Sequence, residues 1–133
     1  LVLDFFAGTG TTGQAILELN KEDGGNRRFI LVTNNENNIC TDVCYPRIKK
    51  VIQGYKNLKG EQVEGLGGNL KYFKTEFVDA EPTDKNKIKL TKQATEMLCI
   101  KEGTFDLVQD RGSFKIFKNS KHYTGIIFDQ SAI

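Results

Sequence analysis

The residues best suited to chemistry form a glycine-rich stretch near the start of the chain, Asp4-Phe5-Phe6-Ala7-Gly8-Thr9-Gly10-Thr11-Thr12-Gly13. Its spacing fits three ligand-binding templates, and the neighbouring side chains distinguish between them. The phosphate-cradling loop of nucleoside triphosphatases needs Lys and then Ser or Thr after its last glycine. Gln14 and Ala15 stand in those places, so the sequence argues against triphosphate chemistry.

The glycines also match the dinucleotide fingerprint G-x-G-x-x-G, at Gly8, Gly10 and Gly13. That fingerprint expects an acidic residue on the ribose about 20 residues later, at the end of the next strand. Residues 33–35 occupy this place without an acid, and Glu36 comes late. The carboxylate of Asp4 would also repel a pyrophosphate, so a nicotinamide-binding domain is a minor alternative.

S-adenosylmethionine suits the stretch better, because this ligand carries an ammonium and a sulfonium and has no phosphate. Asp4, at the end of the first strand, can meet the ammonium. Phe6 can face the sulfur-bearing portion, a contact worth about 0.5–2 kcal/mol when desolvated. Gly8 and Gly10 permit close approach of the backbone, and the amide of Thr11 opens a helix whose amino terminus favours the ligand's carboxylate.

The predicted cofactor-binding residues are therefore Asp4, Phe6, Ala7, Gly8, Thr9, Gly10 and Thr11, with Asn34 and Glu36 as candidates for the ribose hydroxyls. No catalytic or metal-binding residue is predicted. The structural alternative is an ordinary tight turn that Asp4 caps. The cluster of asparagines from Asn34 to Asn38 can likewise serve as turn and cap residues rather than as ligands.

The elements that must position this stretch follow from hydrophobic pattern and from glycine and proline. Apolar runs predict a buried strand over 1–6 and a second short strand over 29–32, and helical spacing predicts a helix over 11–20 between them. Pro46 near the start and Gly54 past the end bracket a second helix. A strand, a helix and a strand in about thirty residues favour a right-handed unit with parallel strands.

We therefore expect an α/β fold with three parts. Residues 1–58 form a partial Rossmann-like half-sheet (β-α-β-α) that binds S-adenosylmethionine, and residues 59–69 form a glycine-rich linker. Residues 70–133 form a smaller α+β region with mixed or antiparallel strands. The elements predicted in this last part are a half-buried strand over 70–78, a helix over about 90–101, and strands at 105–108, 114–117 and 123–128.

Composition narrows the class of protein. The 133 residues suit one compact domain, and 19 basic residues against 17 acidic ones give no overall field for nucleic acid or a membrane. No apolar run approaches the roughly 20 residues that cross a bilayer. Cys40 and Cys44 lie four residues apart, but Cys99 and His122 are too distant in sequence to suggest a zinc site, so reduced thiols are expected.

Lysines alternate with aromatic residues late in the chain, at Phe114, Lys115, Phe117, Lys118, Lys121 and Tyr123. Such a mixture can bind a nucleic-acid backbone and stack on its bases. An edge strand that lysines protect from aggregation has the same pattern, and this second interpretation is favoured.

The motif D-x-F-x-G-x-G-T-T at residues 4–12 resembles the cofactor motif of amino-methylating DNA methyltransferases. The longer sequence pattern, which adds residues 34–37 and 45–48, is similar to the modification subunit of type III restriction systems, which methylates adenine. The resemblance implies S-adenosylmethionine as cofactor, DNA as substrate and a restriction subunit as partner. It also implies a bacterial cytoplasmic protein without a membrane anchor, and a homodimer is possible.

One part of the family pattern is missing from this sequence. The family's catalytic motif, an acid or amide followed by two prolines and an aromatic residue, holds the flipped base. Pro46 and Pro82 are the only prolines and are not adjacent. We therefore expect a carboxy-terminal piece, opening in a strand at Leu1, that does not methylate alone. The alternative is non-enzymatic: residues 70–133 form a docking or dimerisation module.

Overall fold

The computed structural model describes residues 1–128 and has an α/β fold with small sheets and helices. Its contacts divide the chain into two compact units, which are called here the first unit, Leu1–Lys74, and the second unit, Thr75–Ile133. Each unit has its own sheets and buried residues, and each is described by itself.

The first unit begins with the predicted strand, helix and strand. Strand β1 covers Val2–Asp4, helix α1 covers Thr11–Asp23, and strand β2 covers Phe29–Leu31. β1 and β2 pair in parallel, with Leu3 opposite Ile30. The prediction of a parallel pair joined by a helix is confirmed, and the observed elements differ from the predicted bounds by a few residues at their ends.

A continuous helical segment of mixed type follows β2. A 3₁₀ turn at Glu36–Asn38 leads into a π-helical turn at Ile39–Cys44 and then into helix α2 at Tyr45–Gln53. The predicted bracket is confirmed, because Pro46 lies in the first turn of α2 and Gly54 caps its end with φ 89°.

The core of the first unit forms where α1 and α2 pack on one face of the β1–β2 sheet. Ile48, Leu17 and Val51 are its buried centre, and the partly buried apolar side chains against it are Phe29, Leu31, Ile52, Leu66 and Leu70. The prediction that residues 1–6 are a buried strand is wrong, because Leu3 is 49% exposed and Leu1 and Phe5 are exposed as well. The helices cover only one face of this small sheet.

A hairpin falls in the region predicted to lack strands. Strand β3, Gly54–Lys56, pairs antiparallel with strand β4, Gln62–Glu64, which lies within residues 59–69. The Asn57 side chain closes the connecting loop, because its Oδ1 accepts the amides of Lys59 at 2.9 Å and Glu61 at 3.0 Å. Gly60, with φ 80°, lies in this loop and donates its amide to the Asn57 carbonyl at 2.9 Å, so this glycine serves the turn and does not prevent pairing.

The predicted strand over 70–78 is wrong, because this segment is irregular. Two of its residues pack on other elements instead of joining a ladder: Leu70 contacts the core, and the Tyr72 ring lies 5.2 Å from that of Tyr45. The alternation of apolar and polar residues was real, but a strand also needs a neighbouring strand with free hydrogen-bonding groups.

The second unit is a helix followed by a three-stranded antiparallel sheet. Helix α3 covers Asp84–Glu102, and strands β5, β6 and β7 cover Asp106–Arg111, Phe114–Lys118 and Tyr123–Ile127 in the order β5-β6-β7. The three strands and their antiparallel pairing are confirmed. The helix begins earlier than residue 90, because the Thr83 hydroxyl accepts the Asn86 amide and caps its first turn.

The interpretation of the late lysines as protection for an edge strand is wrong. β6, which carries Lys115 and Lys118, is the central strand of its sheet. Lys115 forms an ion pair with Asp110 on β5 at 2.9 Å, so this lysine contributes a cross-strand contact.

Within residues 1–128, no helix has the length and apolar character needed to cross a membrane.

Candidate functional site

The turn that joins β1 to α1 requires glycine at two positions. Gly8 has φ 50° and Gly10 has φ 82°, which place both in the left-handed region that residues with a Cβ disfavour. The turn is fixed by its own backbone, since the Ala7 amide donates to the Val32 carbonyl at 3.2 Å and the Gly10 amide donates to the Ala7 carbonyl at 2.7 Å. The sequence-predicted residues 7–10 thus form one ordered bend.

Gly10 is also small because helix α2 packs against it. A Cβ at this position would lie 3.0 Å from Cys44 Sγ and 3.2 Å from Ile48 Cγ1. Ala7 is likewise enclosed, with 6% of its surface exposed. The space around these two residues is therefore occupied by the protein, and their contribution to a ligand site is to shape the bend.

Both oxygens of Asp4 accept hydrogen bonds from the turn that follows. Oδ1 accepts the Phe6 amide at 2.9 Å, and Oδ2 accepts the Thr12 hydroxyl at 2.6 Å. These bonds, the Thr12 bond first, hold the pKa of Asp4 below its usual value. Asp4 thus caps the turn as the structural alternative expects, and it does so as a carboxylate whose two oxygens each keep a further acceptor site.

An open groove of about 240 Å³ lies beside the carboxyl ends of β1 and β2, lined by Phe6, Gly8, Thr33, Asn34, Glu36, Asn37 and Ile39. Phe6 is 92% exposed at this groove. Ligands of open α/β sheets bind outside the carboxyl ends of the strands. The groove is smaller than the roughly 300–1,000 Å³ of pockets that enclose drug-sized ligands, so it can hold one portion of such a ligand.

The groove brings together four of the nine predicted site residues, Phe6, Gly8, Asn34 and Glu36. The other five are outside the groove lining: Asp4 ends β1, and Ala7, Thr9, Gly10 and Thr11 belong to the adjoining turn and helix start. Thr33, Asn37 and Ile39 complete the lining and were not selected from the sequence. Their position directly after β2 was the signal that could have identified them.

The asparagine cluster divides into structural and groove-facing residues. Asn35 Oδ1 accepts the amides of Cys40 at 3.0 Å and Thr41 at 3.1 Å and so caps the helical segment. Asn34 Nδ2 donates to Glu36 Oε2 at 3.5 Å at the groove. The expectation of turn and cap residues is confirmed for Asn35, and Asn34 with Glu36 places an amide and a carboxylate where a polyhydroxyl group could bind.

Three polar side chains outside the predicted set, those of Thr12, Gln14 and Arg47, form hydrogen bonds around the turn. Thr12 bonds Asp4, as described above, and Arg47 donates to both Thr9 and Gln14. The interval from Gln14 to Arg47 is 33 residues, so no local periodicity could have paired them.

Cys40 and Cys44, four residues apart, are both free thiols, and burial raises the pKa of Cys44. Among residues 1–128, no three His, Cys, Asp or Glu side chains are grouped to hold a metal.

No family model matches the chain. Curated relatives match parts of it. It is 67% identical over 33 residues to the type III restriction-modification enzyme StyLTI Mod subunit of Salmonella typhimurium, which is 25% of this chain and 5% of that protein. It is 56% identical over 36 residues to the EcoPI Mod subunit of Escherichia phage P1, 27% of this chain and 6% of that protein.

The chain resembles type III Mod subunits. A longer match, 36% identical over 78 residues, relates it to the type II methyltransferase M.KpnI of Klebsiella pneumoniae, and covers 59% of this chain and 19% of that protein. The resemblance inferred from residues 4–12 and their sequel is confirmed. The matches span from about one twentieth to one fifth of the relatives' lengths.

Proposed function

We propose that the first unit is the S-adenosylmethionine-binding part of a DNA methyltransferase with a partial Rossmann-like fold. The observation that carries this proposal is the groove at the ends of two parallel strands, which is lined by an exposed Phe6 and by the bonded pair of Asn34 and Glu36. The relatives support it, because their names describe restriction-modification methyltransferases.

The residues present fit this cofactor. When bound, S-adenosylmethionine supplies a methyl group on a positively charged sulfur. The exposed Phe6 ring offers its face to that cation, the Asp4 carboxylate has free acceptor sites for the ammonium, and Glu36 can accept ribose hydroxyls. Thr11 is the first residue of the 13-residue helix α1, and the amino terminus of a helix favours a negatively charged group such as the ligand's carboxylate.

We further propose that the parent enzyme methylates the amino group of adenine in DNA and works with a restriction subunit. In that reaction a bond forms between the amino nitrogen and the methyl carbon, the bond from carbon to sulfur breaks, and the nitrogen loses a proton. The Pro-Pro-aromatic motif that holds the base is absent from these 133 residues. The chain alone therefore binds the cofactor without turnover.

Calorimetric titration of S-adenosylmethionine into the full chain tests the cofactor assignment. Phe6→Ala is the cleanest variant, because this exposed ring makes little contribution to packing, and we expect it to weaken binding about twofold to thirtyfold. Asp4→Asn should weaken binding further. Asp42→Asn, at an exposed acid that does not line the groove, is the matched control and should bind as the unaltered chain does. Absence of binding, or equal affinity in all variants, would contradict the assignment.

The same titration with reduced nicotinamide dinucleotide, followed by fluorescence, tests the minor alternative. The carboxylates of Asp4 and Glu36 lie at and beside the groove, where a pyrophosphate would have to bind. We expect no saturable signal. Saturation that Asp4→Asn leaves unchanged would favour the dinucleotide instead.

A second candidate function concerns the second unit, which we propose is an interaction module. Its large apolar side chains are exposed to an unusual degree for so small a unit, among them Ile88, Leu90, Met97, Leu107, Val108, Tyr123 and Ile127. Sedimentation velocity tests self-association through this surface. A strictly monomeric chain at high concentration would remove that form of the hypothesis.

A further inference from the structure

Arg47 connects helix α2 to the turn between β1 and α1. Its Nε and Nη2 both donate to Gln14 Oε1, at 3.0 and 2.8 Å. Its Nη1 donates to Thr9 Oγ1 at 2.9 Å and approaches the Thr9 carbonyl and Thr11 Oγ1 at 3.4 Å. One guanidinium thus grips the turn and the first turn of α1 at the same time.

We infer that Arg47 is a positioning residue, which holds the glycine turn in the shape that the cofactor binds. This inference rests on the proposed function of the first unit. Arg47 does not line the groove, whereas Gly8, on the turn that Arg47 holds, does. Its effect on a ligand therefore passes through the turn and not through direct contact.

The turn gains from a restraint by a side chain, in addition to its backbone hydrogen bonds, because two of its residues are glycines. Gly8 and Gly10 both adopt left-handed conformations, and glycine loses more conformational freedom on ordering than any other residue. If the turn were unrestrained in the free chain, the ligand would have to order it, and the affinity would fall by that cost. A restraint that exists before binding removes the cost.

The chemistry of the contact explains why arginine suits this role. A guanidinium presents five donors in a rigid planar fork, so it can bond the amide oxygen of Gln14 and the hydroxyl of Thr9 together. Lysine has a single charged nitrogen and a flexible stem, and so would hold one of the two acceptors less firmly. Arg47 is also half-buried, which limits competition from water.

Gln14 is held in the orientation that Arg47 requires. Its Nε2 donates to Glu18 Oε1 at 2.8 Å, one turn further along α1, and this bond directs Oε1 towards the guanidinium. Gln14 stands where a triphosphate-binding loop would have its lysine. In this chain the same position supplies an acceptor, and the cation comes from α2 to restrain the turn.

The test is calorimetric titration of S-adenosylmethionine into the full chain and five variants. We expect Arg47→Met to weaken binding about tenfold, as for loss of a hydrogen bond to a charged group, and Arg47→Lys to recover part of that loss. Gln14→Leu should weaken binding to a similar extent, and the double variant of Arg47→Met with Gln14→Leu should bind no more weakly than Arg47→Met alone. Lys50→Met, an exposed cation of the same helix, is the matched control and should bind as the unaltered chain does.

The outcomes separate this inference from the proposed function. Absence of binding by the unaltered chain overturns both. Weakening by Phe6→Ala together with full affinity in Arg47→Met overturns only the role of Arg47. Losses that multiply in the double variant, or a Lys variant as weak as the Met variant, would also contradict it. Should Arg47→Met fail to fold, Gln14→Leu removes the main acceptor with the helix α2 intact, and full affinity in that variant contradicts the inference.

Discussion

In the first unit strands β1 and β2 pair across an intervening helix, whereas in the second unit each strand pairs with the next one along the chain. The first unit therefore depends on contacts between distant residues, such as the bonds from Arg47 to Thr9 across 38 residues. The second unit combines local turns and a capped helix with hydrogen bonds over shorter separations of 16 and 20 residues, such as that from Thr104 to Thr124. Long-range contacts in the first unit create a bend with exposed polar groups at the strand ends, which is the kind of place where ligands bind in α/β folds.

The largest effect is expected from Ile48→Ala, which should disrupt the core of the first unit and leave the second unit intact. Ile48 is 1% exposed and lies against the glycine turn, so its truncation should cost about 2–5 kcal/mol of unfolding free energy. Amide hydrogen exchange should reveal loss of protection in α1 and β2, with β5–β7 largely unchanged. The control is Ile88→Ala, at an exposed position of α3, with an effect within about 0.5 kcal/mol. Equal loss of protection in both units would contradict their independence.

The next effect compares two left-handed glycines of the first unit. Gly60 has φ 80° and open space around it, so Gly60→Ala should cost only the conformational strain of about 1–2 kcal/mol. Gly10 has φ 82° but lies against Cys44 and Ile48, and Gly10→Ala should add about 1–3 kcal/mol from overpacking. Urea unfolding of the two variants measures the difference. Equal destabilisation would mean that α2 does not press on the turn as described.

The sequence predicted local secondary structure better than it predicted burial and strand pairing. Hydrophobic spacing, Pro46 and Gly54 are local signals, and they predicted α1, α2 and the antiparallel strands well. Burial was predicted poorly at β1, because an apolar run indicates that a strand can be buried on both faces but not that covering elements are present. The prediction of a strand over 70–78 failed for a related reason, since strand pairing depends on a neighbouring strand that periodicity does not reveal.

The candidate site could be predicted in its glycines and in Phe6, Asn34 and Glu36, because the chemistry of a ligand restricts residue types over a short span. The roles of Thr12, Gln14 and Arg47 could not be predicted, since their contacts join residues 8–38 positions apart. The packing of α2 on Gly10 was equally hidden, and it gives this glycine a purpose beyond approach of a ligand.

A smaller effect is expected from the cap of helix α3 in the second unit. The Thr83 hydroxyl accepts the Asn86 amide at 3.3 Å, so Thr83→Ala should lower stability by about 1 kcal/mol. Thr91→Ala, in the exposed interior of the same helix, should leave stability unchanged or raise it slightly, because alanine has the higher helix propensity. Thermal unfolding followed by circular dichroism distinguishes the two. The same sign for both variants would show that local capping does not govern this unit.

The smallest effect concerns the exposed ion pair of Asp23 and Arg27 after helix α1. The Arg27 guanidinium and the Gly25 amide lower the pKa of Asp23 from 3.8 to about 2. A carboxyl whose pKa falls on folding stabilises the folded state above its unfolded pKa, and this contribution is lost as the pH drops through the folded value. Above pH 4, Asp23→Asn should therefore have a slightly lower Tm than the unaltered chain. The two Tm values should converge as the pH falls towards 2. A constant difference across this range would contradict the pairing.

The most direct test of the central claim is a titration of the full chain with S-adenosylmethionine, followed by amide chemical shifts. We expect saturable shifts at Phe6, Gly8 and residues 33–37, around the groove of the first unit, and unchanged shifts in β5, β6 and β7. Shifts confined to the second unit, or none at saturating ligand, would contradict the claim that the bend after β1 binds the cofactor.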